Sequence, residues 1–181
     1  IYIRPESWDK PFEAPEHVCS SYDNCHVPWG STHEKTWHLV KTLPHVSGLF
    51  VWTGFDYLGE PTPYWWPSRS SFFGIVDLAG FPKDVYYMYK SEWTDEPVLH
   101  IFPHWNWKEG ERVDIWAYYN NADEVELYLN GKSLGVRQKT DSTYHVSWRV
   151  PFTPGTLRAV SRLGGKEVLV KEIHTAGAPA R

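Results

Sequence analysis

From residue 98 to residue 174 apolar and polar positions alternate in short runs separated by turn residues. Residues 98–102 form one such run. Across 112–119, Val113, Ile115, Ala117 and Tyr119 share one face, and across 124–129 Val125, Leu127 and Leu129 do the same. A period of two places alternate side chains on one side of a strand, so each run predicts a β-strand with one face turned inward. Asn130-Gly131 predicts a two-residue hairpin turn, because both residues tolerate positive φ. A return strand follows over 133–137. Residues 144–150 align Val146, Trp148 and Val150, and 156–163 pairs with 167–174 around Gly164-Gly165. About seven strands at this spacing predict an antiparallel, immunoglobulin-like β-sandwich, although the Cys…Trp…Cys arrangement of antibody domains is missing.

The first half has a different pattern. Residues 1–30 are rich in Pro, Ser, Asn and His and show no period, which predicts ordered loop. Ser31-Thr32-His33-Glu34 reads as a capping box, with Ser31 at the helix N-terminus and Glu34 reaching back. Trp37, Leu39, Val40 and Leu43 then give a helical stripe to about Thr42. Gly48-Leu49-Phe50-Val51-Trp52 is almost wholly apolar, as in a strand buried on both faces of a parallel sheet. Such a strand needs neighbours on both edges, so this α/β unit does not bury itself. A Gly/Pro/aromatic loop runs from 53 to 71, followed by a short extended segment over 71–77. Pro82 suits the first turn of a helix that carries Val85, Met88 and Tyr89 and ends near Trp93. The joint is placed at Trp93-Thr94-Asp95-Glu96-Pro97, giving an α+β, multidomain chain with domains at 1–93 and 97–181.

Composition narrows the function. Aromatic residues make up 17% of the 181, with 11 Trp, and most of the tryptophans fall in the first half. An aromatic ring has an apolar face and, in Trp and Tyr, a polar edge, which suits the stacking and hydrogen bonding of sugars as well as the filling of a core. The net charge of −4 disfavours a nucleic-acid partner. No basic cluster seeks an anionic membrane, and no apolar run is long enough to span one. Cys19 and Cys25 fit no zinc pattern and read as free or structural thiols, with a disulfide across so small a loop the open alternative. The histidines do not bracket a glutamate at zinc-hydrolase spacing, and serine-nucleophile, phosphate-loop and dinucleotide motifs are absent, so no metal or cofactor is expected.

The candidates for acid/base chemistry are Asp56 and Glu60, which follow the apolar 48–52 run, because loops leaving buried parallel strands carry the sites of α/β enzymes. Both equally suit a hydrogen-bonding scaffold at a strand end. Asp23, Asn24 and His26 form a polar, aromatic-flanked cluster that reads either as pocket lining or as a turn leading into the helix.

Three stretches resemble glycoside hydrolase family 2, the β-galactosidase group. They are residues 48–64, with Trp52-Thr53-Gly54-Phe55-Asp56-Tyr57-Leu58-Gly59-Glu60; residues 68–84, with Phe72-Phe73-Gly74-Ile75-Val76-Asp77; and Tyr22-Asp23-Asn24-Cys25-His26-Val27-Pro28-Trp29-Gly30. The resemblance implies that residues 1–93 are the C-terminal part of a (β/α)8 (TIM) barrel and that 97–181 are the immunoglobulin-like domain after it. It implies a retaining mechanism with a glutamate nucleophile and a glutamate acid/base, both upstream of Ile1; Glu6 does not match either. It further implies that no residue here is catalytic, that the fragment alone is inactive, and that the parent acts on terminal β-galactosides or related β-glycosides. Trp52 matches the tryptophan that stacks on sugar, where the following peptide bond is often cis, and Asp56, Asn24 and His26 are expected in the substrate pocket. A periplasmic or secreted location is implied, and the oligomeric state is left open. The rival reading is a non-catalytic sandwich, either structural or binding carbohydrate through rings such as Trp105, Trp107 or Trp116.

Overall fold

The structure is a computed structural model that describes residues 10–11, 20–27, 29–61 and 66–178. Glu6 and Cys19 lie outside the described residues, and with Cys19 the question of its pairing to Cys25. The chain divides into two compact units, one ending at Tyr86 and one beginning at Tyr87.

In the first unit the strands among the described residues are two short parallel ones, β1 (Lys10–Pro11) and β2 (Cys25–His26). Helix α1 (His33–Thr42) forms where the apolar stripe predicts it, but none of its residues is buried. Leu39 and Leu43 on that stripe are exposed. The capping box does not form: Thr32 holds the N-cap position without a side-chain bond. Residues 48–52 form no strand, and Phe50 is fully exposed. The physical reason is the one that makes a doubly apolar strand dependent on its sheet: no strand among the described residues pairs with either edge.

What orders the following loop is a ladder of backbone hydrogen bonds. Thr53 N–H donates to Phe73 O, Ile75 N–H to Thr53 O, Asp56 N–H to Val76 O and Gly59 N–H to Arg69 O, all between 2.9 and 3.1 Å. Phe55 bridges Val76 in parallel, and Val76 bridges Pro82. Pro82 therefore sits in a bridge two residues before helix α2 (Asp84–Trp93), not in its first turn. Within α2, Met88 and Tyr89 are buried.

Among its described residues the second unit contains seven strands: β3 (Leu99–Phe102), β4 (Arg112–Tyr119), β5 (Glu124–Leu129), β6 (Lys132–Arg137), β7 (His145–Pro151), β8 (Thr156–Leu163) and β9 (Lys166–His174). They make two antiparallel sheets, ordered β3-β4-β7 and β6-β5-β8-β9. The inner faces share one apolar core containing Trp105, Ile115, Val125, Leu127, Trp148 and Leu157, which makes the unit a β-sandwich. Asn130 and Gly131 adopt φ of 50° and 81°, as the predicted hairpin requires.

The alternation fails in one place. β4 is buried on both faces from Val113 to Tyr119. Its outer face is covered by rings: Trp116 stacks on His145 at 3.6 Å, and Tyr118 stacks on Phe102 at 5.3 Å. The cross-strand pair Asp114 and Arg149 completes that face with two 2.8 Å hydrogen bonds.

Candidate functional site

A cavity of about 800 Å³ opens in the first unit. Its aromatic wall includes Tyr22, Trp29, Trp52, Phe72 and Phe73; its polar lining includes Asp23, His26, His33, Glu60, Lys83 and Asp84. Trp52 enters this wall because the next residue is pinned. Thr53 exchanges backbone bonds with Phe73 and Ile75, so the 53–59 loop lies along the 69–76 segment. Gly74 permits that approach: a Cβ there would lie 2.1 Å from Asp56 N and 2.5 Å from Val76 O, both backbone atoms that cannot move aside. The Trp52–Thr53 peptide bond is cis.

The Trp52 ring is 73% exposed. Tyr57 meets it edge-on, with centroids 6.4 Å apart and planes at 89°. The Tyr57 hydroxyl donates to Glu60 Oε2 at 2.7 Å. That bond raises the Tyr57 hydroxyl above its ordinary value, so the proton stays on the tyrosine and Glu60 is the acceptor.

The four expected pocket residues separate. Trp52 and His26 line the cavity, whereas Asp56 and Asn24 do not. Asp56 is a nearly buried fastener: Oδ1 accepts from Gly74 N–H and Lys83 Nζ at 2.8 Å each, and Oδ2 meets Lys83 Nζ at 2.7 Å. Asn24 is buried, with Oδ1 accepting from Ser20 Oγ. His26 Nδ1 donates to Val27 O at 2.8 Å, since a carbonyl only accepts, which leaves Nε2 as its other ring nitrogen. Of the two carboxylates after the 48–52 run, the more distant one, Glu60, reaches the cavity. Phe72 and Phe73 carried no site expectation of their own; the available signal was the pair of rings directly before Gly74. Among the described residues no group of three His, Cys, Asp or Glu is placed to hold a metal.

The sandwich offers no such wall on two of the rings considered for it. Trp105 is fully buried with Nε1 donating to Thr153 O at 3.0 Å, and Trp116 is buried in the outer ring layer. Trp107 packs against the core and stacks on His104.

Residues 110–169 match a family model described as a domain of unknown function, DUF4982. The chain is 62% identical over 180 residues to the β-galactosidase BoGH2A of Bacteroides ovatus, covering 99% of this chain and 21% of that protein. The chain belongs to glycoside hydrolase family 2. A putative β-glucuronidase of Formosa agariphila is 40% identical over 187 residues, covering 99% of this chain and 17% of that protein. A solved β-glycosidase from Bacteroides vulgatus is 40% identical with a TM-score of 0.81, over 90% of this chain and 20% of that one. The chain thus spans about a fifth of the length of these family 2 relatives.

Proposed function

We propose that this chain belongs to a retaining β-glycosidase acting on terminal β-galactosides or related β-glycosides. In this reading residues 1–93 are the C-terminal part of its (β/α)8 barrel, and 97–181 form the immunoglobulin-like domain that follows. The observation that carries the reading is the exposed Trp52 ring on the wall of a cavity that also holds His26 and Glu60. An aromatic face beside hydrogen-bonding groups matches the two kinds of surface that a sugar presents. The 62% identity to a protein named a β-galactosidase, against 40% to one named a putative β-glucuronidase, supports the galactoside.

The catalytic glutamates lie outside these 181 residues in this reading, so the chain alone does not turn over substrate. The cavity carboxyl of Asp23 supports this, since both of its oxygens are committed to the start of α1. A structural role for the sandwich is favoured over a sugar-binding one by the burial of Trp105 and Trp116.

The test is hydrolysis of p-nitrophenyl β-galactoside by the whole glycosidase and by its Trp52→Ala variant. We expect a loss in kcat/KM of about a hundredfold, the scale of a lost aromatic contact to substrate with its misplacement. Unchanged kcat/KM in the variant overturns the reading. Steady turnover by the 181-residue chain alone overturns its placement of the catalytic pair.

A further inference from the structure

We propose that Glu60 determines specificity in this cleft: its carboxylate, held by Tyr57 beside the Trp52 ring, accepts hydrogen bonds from a neutral sugar and turns away a uronic acid. This rests on the reading of Trp52 as the sugar platform.

Three observations carry it. First, Glu60 shares the cavity with Trp52 although it lies eight positions further along the chain. The chain turns back at Gly59, whose φ of 102° is open to glycine and whose N–H is fastened to Arg69 O at 2.9 Å. Second, Tyr57 holds both groups at once, with its ring edge against Trp52 and its hydroxyl on Glu60 Oε2. That single bond uses one lone pair of a group that offers about four, so acceptor capacity remains for substrate hydroxyls. The carboxylate is exposed, so it stays hydrated until a ligand arrives.

Third, acidic side chains outnumber the ammonium in the described lining. Lys83, the ammonium in its described lining, is committed to Asp56 and to Phe72 O. Glu60 and Asp84 are carboxylates of the same lining, beside the carboxyl of Asp23 that holds the start of α1. A uronate would bring its own carboxylate against these, and like charges within a few ångströms repel appreciably where water is partly excluded. A neutral hexose meets acceptors instead. Rejection by an unfavourable charge is a common way to separate two otherwise similar ligands.

The experiment measures kcat and KM for p-nitrophenyl β-galactoside and β-glucuronide in the whole glycosidase, with Glu60→Gln, Tyr57→Phe and Trp52→Ala. Glu60→Gln keeps the size of the side chain and removes the charge. We expect KM for the galactoside to rise about tenfold with kcat within about twofold, the behaviour of a group that binds ground and transition states alike. The galactoside-to-glucuronide ratio of kcat/KM should narrow about tenfold. Tyr57→Phe should shift both quantities in the same direction by about threefold, since it only loosens the carboxylate. Glu60→Gln with an unchanged galactoside KM and an unchanged ratio overturns the proposal. If Trp52→Ala is damaging while Glu60→Gln is silent, this inference falls and the sugar cleft stands; if both are silent, the cleft reading falls with it.

Discussion

Asp23 closes the start of α1 from outside the helix: its Oδ1 accepts the His33 N–H at 2.8 Å and its Oδ2 the Glu34 N–H at 2.7 Å. The first N–H groups of a helix have no partner within it, and a negative group there also meets the positive end of the helix dipole. Because the N-cap residue Thr32 gives no side-chain bond, Asp23 carries this function from a loop ten residues upstream of His33. Asp23→Ala is expected to cost about 2 kcal/mol in urea unfolding at neutral pH, the upper end for a lost cap because two donors are orphaned. Asp23→Asn, which keeps an acceptor, should cost less than half of that. An alanine variant as stable as the parent would contradict the assignment.

The same carboxyl gives a pH signature. Burial pushes Asp23 above its ordinary value of 3.8, outweighing the neighbouring His33 and the two backbone bonds. The folded state then holds the proton more tightly than the unfolded one. Its contribution is fully present below the unfolded value and is lost as pH rises through the raised folded value. Stability measured from about pH 3.8 upward should therefore fall less in Asp23→Asn than in the parent. Parallel curves would refute it.

These contacts show where the sequence was legible. The strands at 112–119, 124–129 and 156–163 could be read to the residue, because a sandwich buries one face of each strand and the alternation records which. The outer ring layer on β4 could not, since Trp116 and Tyr118 occupy positions that alternation assigns to solvent. The cap was misplaced for a related reason: Ser31 and Glu34 satisfy a local rule, but the bonds come from Asp23, which no local window contains. In the candidate site, Trp52 and His26 line the cavity, whereas Asp56 is turned from it to Lys83, a partner 27 residues away that no local window contains.

Lys83 and Asp56 should behave as a fastener of the Trp52 loop. The side chains are 28% and 9% exposed, so removing the ammonium leaves a nearly buried carboxylate with Gly74 N–H as the remaining donor among these contacts. Lys83→Met is expected to destabilise the first unit by about 2 kcal/mol, below the usual range for a fully buried pair because Lys83 retains some solvent. Adding Asp56→Asn should recover more than half of that loss, which a double-mutant cycle reads directly. Additive losses in the double variant would show that the pair is not coupled.

Trp105 separates core from binding surface in the sandwich. It is fully buried, lies 4.9 Å from the Phe152 ring centre to centre, and donates its indole N–H to Thr153 O. Trp105→Ala should cost about 3–5 kcal/mol, as large-to-small core substitutions do. Trp105→Phe should cost less, keeping most of the volume and losing the hydrogen bond. Neither should alter glycan binding by the folded protein. A Trp105→Phe variant that folds normally but loses a glycan signal would restore the sugar-binding reading of the sandwich.

Glu126 should move stability with pH in the opposite sense to Asp23. It joins three adjacent strands, accepting from Ser133 on β6, from Tyr128 on its own β5 and from Arg162 on β8. The Ser133 bond, then those of Tyr128 and Arg162, hold its carboxyl below the ordinary value of 4.5. A depressed folded value means stability that is present above the unfolded value and is lost as pH falls through the folded one. Glu126→Gln should therefore flatten the acid limb below about pH 4.5, and Ser133→Ala should flatten it in part. The two carboxyls lie in different units, so each single variant should change only its own slope. If Glu126→Gln left the acid limb unchanged, the network would be a surface contact with no hold on the sheet.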